Sequence, residues 1–548
     1  MLVSFLLFII LLLVLYGYSA FFKTLLTNSK LKTGIIEVIN MDIIFGLFFL
    51  LTILIVFHFF LPLKYLIFPI YFLGLLFFIY YNIKKVFNFI NFNLILFVTF
   101  VIFFINSSNG PTYDTQLYHH QLLNWNYSYK ITMNLVLVDD RMGMISPWYL
   151  FLSLGNLKFF NSLFALVFNF VPVFILISET INSFKQKLDL SKLYIVLSSL
   201  FIIFFSLIHP FKNGIIMMHL GSLGTDFPAM IFFILIIYYF LKNFENKKNK
   251  YLRYVVILST LTLFCRISYL PILILPLYLI FSKKFLLREI HFNILIALSF
   301  FFWFSRSLVN NGCLIFPVKF TCFGFNSYIP IDKIGQYSTV VKSFARTAPE
   351  HKKFMDLDFS INSNDWFIPW IKNYFFTSSL TQIFFVVTSI FLIPFILKIF
   401  KSKNNYFKIF ILILMYILTF FLWLEAPDIR FALGLLISMP IVLISFLASE
   451  KYYKYFDKLK YFFIFILFVL ILKNYENYSN IFEKNIYVRN YNYKNFKVVK
   501  EVNGIKVVRN SDSNGFCYNT KHICKINEYY NFTIEKNKFG NLKFKEIN

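Results

Sequence analysis

Apolar residues in this chain run in blocks close to 20 residues long, separated by short polar stretches. A block of that length, wound as a helix, matches the thickness of a bilayer's hydrocarbon core. Lipid offers no hydrogen-bond partners, so a crossing segment must satisfy its backbone internally, as a helix does. Of 548 residues, 59% are hydrophobic and only 14% charged, about half the charged share usual in a globular domain. A soluble body of this size could not hide so much apolar surface. A soluble enzyme, a secreted module and a disordered tail are excluded, and an all-α integral membrane protein is predicted.

Counting the blocks gives about fourteen transmembrane helices. The first seven fall near 2–22, 42–61, 65–82, 88–105, 159–178, 193–209 and 227–241. A Pro-interrupted pair covers 251–267 and 269–282, either two spans or one broken helix. The rest lie near 290–305, 379–397, 409–424, 431–449 and 461–473. Met1–Phe22 has neither a basic leader nor a small-residue cleavage site, which predicts an uncleaved helix.

Lys and Arg concentrate in alternate loops, among them Lys23/Lys30/Lys32, Lys84/Lys85, Lys185/Lys187/Lys192 and Lys283/Lys284/Arg288. The positive-inside bias makes that side cytoplasmic and puts both termini outside. The chain then divides into N-terminal spans over 1–105, a first large external loop over 106–158, and a membrane core over 159–473. That core carries external loops at 210–226, 306–378 and 425–430, and an external tail over 474–548 completes the chain. In the tail, Lys497–Arg509 alternates around Asn503-Gly504, a hairpin signal, so the tail reads as a small β-rich appendage.

The net charge of +27 raises the question of nucleic acid. The basic residues sit in short clusters between apolar blocks, however, and form neither a basic face nor a nucleic-acid motif. Four of the five cysteines fall in external segments as two local pairs, Cys313 with Cys322 and Cys517 with Cys524. That distribution suits two disulfides in an oxidising compartment. Metal binding is the rival, but neither pair has CxxC spacing and His522 is the one His close to either. Cys265 lies in an apolar span and reads as a buried small hydrophobe.

Loops carry function more often than spans, and the unusual residues gather in the external segments. Asn109-Gly110-Pro111-Thr112-Tyr113-Asp114 leads through Tyr118-His119-His120 to Trp125. Asp114 follows the fourth span closely, where a carboxylate could take a proton from a sugar hydroxyl. His119 and His120 could bind an anionic headgroup or assist that proton transfer. The alternative is a solvated interfacial helix anchored by Tyr and Trp. Asp139-Asp140-Arg141-Met142-Gly143, followed by Ser146-Pro147-Trp148, could hold a cation or a phosphate, or form a loop-shaping ion pair.

Asp226 opens a span, where it either takes part in chemistry or complements the helix dipole. His209, Lys212 and His219 precede it and could face a lipid phosphate or simply water. Arg266 lies between two apolar blocks, and an ionisable residue at membrane depth is costly enough to be a functional candidate. Arg306 and the turn Ala426-Pro427-Asp428-Ile429-Arg430-Phe431 add charge at external span ends. A guanidinium fork suits phosphate oxygens, while snorkelling or a local Asp428–Arg430 pair is the plainer account. Asp114, Asp226, Arg266, Arg306, Asp428 and Arg430 can all reach one external face.

With these residues laid out, the chain resembles a family of bacterial multi-pass membrane proteins that is itself similar to GT-C type glycosyltransferases. The motifs carrying it are Asp114-Thr115-Gln116-Leu117-Tyr118-His119 with Trp125, and Arg141-Met142-Gly143 with Ser146-Pro147-Trp148. Asn311-Gly312-Cys313-Leu314-Ile315-Phe316-Pro317 up to Thr321-Cys322-Phe323, the 426–431 turn, and Gly515-Phe516-Cys517 leading to Cys524 complete the set. The resemblance implies a GT-C-like fold, an external active site and a polyprenyl-phosphate-linked sugar donor. It implies that Asp114 acts as base or metal ligand and that Arg141, Arg266 and Arg430 hold the donor phosphate. In GT-C enzymes the acidic loop follows the first span; here three more spans precede it.

The function expected is inverting transfer of a hexose or pentose from that donor to an envelope glycan, lipid or protein. Asp114 and His119 are the catalytic candidates. His120, Arg141, Trp148, Asp226, Arg266, Asp428 and Arg430 are the substrate-binding candidates. No cofactor is expected with certainty; a divalent cation could be held through Asp114, Asp139 or Asp140. The setting is the inner cell membrane with its active face outward. A transporter or flippase, or a polymerase of lipid-linked saccharides, is the alternative, and a catalytically inactive scaffold is a third.

Overall fold

A computed structural model describes residues 2–26, 38–82, 89–106, 112–157, 164–186, 189–203, 222–245, 250–282, 290–323, 330–347, 353, 356–401, 406–448 and 458–473. In the tail it describes 496–502, 505–510, 523–524, 532–536 and 542–546. His209, Lys212, His219, Asn109-Gly110-Pro111, Asn503-Gly504, Cys517 and His522 lie outside the described residues.

The apolar blocks form helices: α1 (Leu2–Leu26), α2 (Val38–Phe57), α3 (Leu63–Asn82) and α4 (Phe89–Asn106). A π-helical turn, Thr115–His119, runs into α5 (His120–Ser128), and α6 (Trp148–Ser153), α7 (Ala165–Phe168), α8 (Phe170–Phe184) and α9 (Leu190–Ile203) follow. Next come α10 (Asp226–Glu245), α11 (Lys250–Cys265), α12 (Ile274–Ser282), α13 (Ile290–Asn311), α14 (Ile331–Thr347) and α15 (Phe367–Trp370). The helical part closes with α16 (Ser379–Lys401), α17 (Tyr406–Leu424), α18 (Leu433–Leu447) and α19 (Leu459–Lys473).

Among the described residues, eight helical segments are long and apolar enough to cross a membrane. Five shorter apolar helices, such as Leu190–Ile203 and Tyr251–Cys265, fall below that length. Within the described residues α9 covers 14 residues, about 21 Å, and not every apolar block coincides with a helix of crossing length. The Pro-interrupted pair resolves as a break: α11 ends at Cys265, Arg266 is extended, and a 3₁₀ turn over Ile267–Leu273 leads to α12. Pro271 lies inside that turn, lacking the N–H a continuous helix would need.

Residues Asp226–Asn243 of α10 and Ala165–Phe184 are surrounded by protein. Segments α3, α13, α16 and α17 form the rim, exposing Phe68, Phe301, Ile393 and Phe421. Apolar patches of that extent suit lipid tails and would be an aggregation hazard in water. Packing between helices in lipid relies on close backbone approach rather than on a hydrophobic driving force. Gly17 meets that need: a Cβ there would collide with the Gly74 carbonyl oxygen, so α1 and α3 cross backbone to backbone.

The tail contains two small sheets. Strands β1 (Phe496–Val502) and β2 (Ile505–Asn510) pair antiparallel, with Lys497 opposite Arg509, and β3 (Ile523–Cys524) lies parallel to β2. This is the hairpin that the alternation around 503–504 predicts. Strands β4 (Phe532–Lys536) and β5 (Leu542–Glu546) form a second antiparallel pair. Strand β5 docks on the body: Met133 N–H donates to the Leu542 carbonyl (3.0 Å), and Phe544 N–H donates to the Met133 carbonyl (3.1 Å). Cys313 and Cys322 are joined by a disulfide, Cys524 is disulfide-bonded, and Cys265 is free and buried.

Candidate functional site

The turn before α18 is built by its own sequence. Pro427 keeps the preceding residue out of a helical conformation, and Asp428 is extended, its side chain capping the 3₁₀ turn Ile429–Ala432 by accepting from Arg430 N–H. Asp428 is buried and receives the Arg430 guanidinium through Nε (3.1 Å) and Nη2 (2.8 Å) on the same Oδ2. The Trp423 indole donates to the Asp428 carbonyl at 2.7 Å, and the Trp370 indole donates to the Pro427 carbonyl at 3.2 Å. Burial alone would push the Asp428 carboxyl up, but the Arg430 guanidinium and its hydrogen bonds hold it below the usual carboxylate range.

Held this way, Arg430 points Nη1 at Asp114, whose Oδ2 lies 3.1 Å away. Asp114 precedes the π-helical turn, so this bond joins the first large loop to the turn before α18. Arg266, at the break after α11, is ion-paired with Asp226 at the start of α10. Its guanidinium also lies over the Phe431 ring, 3.9 Å from the centroid. Phe431 follows Arg430 directly, so the Arg266–Asp226 and Arg430–Asp428–Asp114 groups adjoin. Of the six residues expected on one external face, Asp114, Asp226, Arg266, Asp428 and Arg430 lie together in this way, whereas Arg306 does not join them.

Arg141 stands beside this group. Its guanidinium lies 5.4 Å from the Tyr118 ring centroid, and its backbone N–H donates to Asp139 Oδ1 at 2.8 Å. Burial pushes the Asp139 carboxyl up, with Arg141 opposing. Asp139 Oδ2 and Arg141 Nη1 are both enclosed without a hydrogen-bond partner. The phenols of Tyr118, Tyr149 and Tyr337 are raised by burial, and each interacts electrostatically with Asp114. At neutral pH these are protonated hydroxyls, able to donate to phosphate or sugar oxygens.

His119 is buried between the Tyr118 and Tyr149 rings, with Thr115 Oγ1 3.4 Å from Nδ1. Burial lowers its pKa to about 4, against a raising contribution from Asp114. His120 is buried too, its pKa lowered to about 3 by burial, and its Nε2 lacks a partner. Both are neutral imidazoles at pH 7. Trp148 is fully buried; its indole donates to Asn169 Oδ1 (3.1 Å), and Asn169 Nδ2 donates to the Ser222 carbonyl (2.5 Å). Ser222 in turn bonds Thr112, 3.1 Å away. Trp148 thus braces the wall around Asp114 from within, touching no open surface.

Arg306 belongs to another group, bonding His58 Nδ1 (2.7 Å) and Asn126 Oδ1 (2.9 Å). Among the described residues, no cluster of three or more His, Cys, Asp or Glu side chains is arranged to hold a metal ion. Trp370 and Trp423, which hold the 426–431 turn, Tyr374, whose hydroxyl donates to Asp428 Oδ1 (3.5 Å), and Tyr337 carry no distinguishing sequence signal. Apolar blocks and long loops are full of aromatics, and nothing local marks those four.

The family model describing a Domain of unknown function (DUF8201) matches residues 1–437. No curated protein matches the chain, and no solved structure matches it. The chain belongs to the DUF8201 family.

Proposed function

We propose that this chain is an integral membrane glycosyltransferase of about fourteen crossings. It would move a sugar from a polyprenyl-phosphate-linked donor to an envelope glycan, lipid or protein outside the inner membrane. The observation carrying this reading is that the Asp114 carboxylate and the Arg430 guanidinium share one hydrogen bond beside Arg266. A general base and phosphate-binding forks are thus within one site, next to apolar helices that suit a lipid chain.

In the reaction, the acceptor O–H gives its proton to Asp114 as its oxygen bonds to the anomeric carbon. The bond from that carbon to the donor phosphate oxygen breaks, and the leaving polyprenyl phosphate keeps the electron pair. Arg430 and Arg266 stabilise the negative charge growing there, since preformed donors cost little reorganisation. Attack opposite the leaving group inverts the anomeric centre. His119, neutral and enclosed, positions the Tyr118 and Tyr149 phenols, and Asp428 positions Arg430.

The test is to place the purified chain in vesicles with a panel of polyprenyl-phosphate-linked hexoses and pentoses and an envelope extract as acceptor. Release of free polyprenyl phosphate with one member of the panel supports the reading. Movement of the intact lipid-linked sugar across the bilayer without release makes the chain a flippase and overturns it.

A further inference from the structure

The way Arg430 is occupied carries an inference that rests on the reading above and extends it. All three of its guanidinium nitrogens donate to carboxylates: Nε and Nη2 to Asp428, Nη1 to Asp114. Asp428 is buried and fixed by Trp423 and the turn it caps. The Asp114 side chain is 35% exposed, and Arg430 is its one side-chain hydrogen-bond partner among the described residues. Arg266 is engaged by Asp226. Three guanidiniums, Arg141, Arg266 and Arg430, therefore face four carboxylates, Asp114, Asp139, Asp226 and Asp428. Such a group has no net attraction for an anion until one carboxylate gives way.

We propose that the donor's phosphate binds by taking the place of Asp114 on Arg430 Nη1, so that donor binding itself frees the base. In the empty site the Asp114 carboxylate stands where a phosphate oxygen goes, since both anions suit the same guanidinium edge. Asp114 is the partner that leaves because it is the more exposed and less tethered of the two. Once displaced, its Oδ2 lone pair is available to the acceptor hydroxyl, and the proton moves only when a leaving group is in place. Donor therefore binds before acceptor.

Farnesyl phosphate, a short polyprenyl phosphate, probes this directly. Its affinity for the full chain in detergent micelles would be measured for wild type, Asp114→Asn, Arg430→Gln and the double variant. Removing the competing carboxylate should tighten binding by about tenfold, as expected for one unit charge at contact distance in a partly solvated site. In the Arg430→Gln background the same substitution should bring no gain, because the contested group is gone. Asp114→Ala serves as a second variant and should show the same gain if the asparagine form folds poorly. Equal or weaker binding by the folded Asp114 variants overturns the exchange while leaving the transferase reading in place. Failure of every protein, wild type included, to bind farnesyl phosphate overturns both.

Discussion

Asp114 and Arg430 lie 316 positions apart in the chain and are joined by a 3.1 Å hydrogen bond. Through it, the loop after α4 and the turn before α18 meet at one carboxylate–guanidinium contact. The contact depends on Asp428, which fixes two of the three Arg430 nitrogens and so aims the third.

Asp428→Asn should weaken that aim while keeping the side chain's size. The Arg430 guanidinium would lose the buried one of its two carboxylate partners, at a cost of about 1–3 kcal/mol to the fold. Transfer rate should fall by tenfold or more, because phosphate stabilisation needs a placed donor. Thermal melting in detergent and release of polyprenyl phosphate check the two halves separately. An Asp428→Asn protein with unchanged rate would remove the positioning role.

Stability should fall as pH drops below about 6.5. Burial lowers His119 to about 4 and His120 to about 3. Their folded values lie below the unfolded value, so the stability they contribute is complete above pH 6.5. It is lost progressively as the unfolded chain, but not the folded one, takes up protons. At pH 5 the loss is about 2 kcal/mol for each of His119 and His120. Comparing melting at pH 7.5 and pH 5 tests this, and His120→Gln should shrink the difference. An identical drop in that variant would contradict it.

The tail is expected to hold the loop that carries Arg141. Asn134 is in the left-handed region with φ 56°, and its Nδ2 donates to the Phe544 carbonyl at 2.9 Å. Phe544 is fully buried, its ring 5.6 Å from that of Trp125. Phe544→Ala should cost about 3–5 kcal/mol at this contact and release the β4–β5 pair. Limited proteolysis should then cut the tail at protease levels that leave wild type intact, and transfer should weaken with it. Unchanged protection would show that β5 is held by its backbone pairing alone.

Much of this architecture was legible as apolar block length, because a bilayer imposes one length on every crossing helix. The tail hairpin was legible too, from alternation around a turn signal. The span count was less so: a block marks where apolar residues are, whereas helix length also depends on breaks such as the one at Arg266. For the site, Asp114, Asp226, Arg266, Asp428 and Arg430 stood out because charges are rare near these helices. The local Asp428–Arg430 pair was legible as well, but the Asp114–Arg430 and Asp226–Arg266 pairs were not, since which distant carboxylate meets which guanidinium is decided by packing. Trp148 shows the opposite case. It stands in a distinctive motif, yet its indole serves Asn169 in the interior. Arg306 likewise looked like a phosphate ligand and instead binds His58 and Asn126.

The central claim is that Asp114 is the base of a sugar transfer. A strain lacking this gene, supplied with either wild type or Asp114→Asn at matched membrane levels, would be profiled for envelope glycans by mass spectrometry. The substitution keeps size and hydrogen bonding but removes the proton acceptor. The account predicts that wild type restores a missing sugar and Asp114→Asn does not. Equal restoration by both would contradict it, leaving Asp114 a structural partner of Arg430 and moving transport or scaffolding to the front.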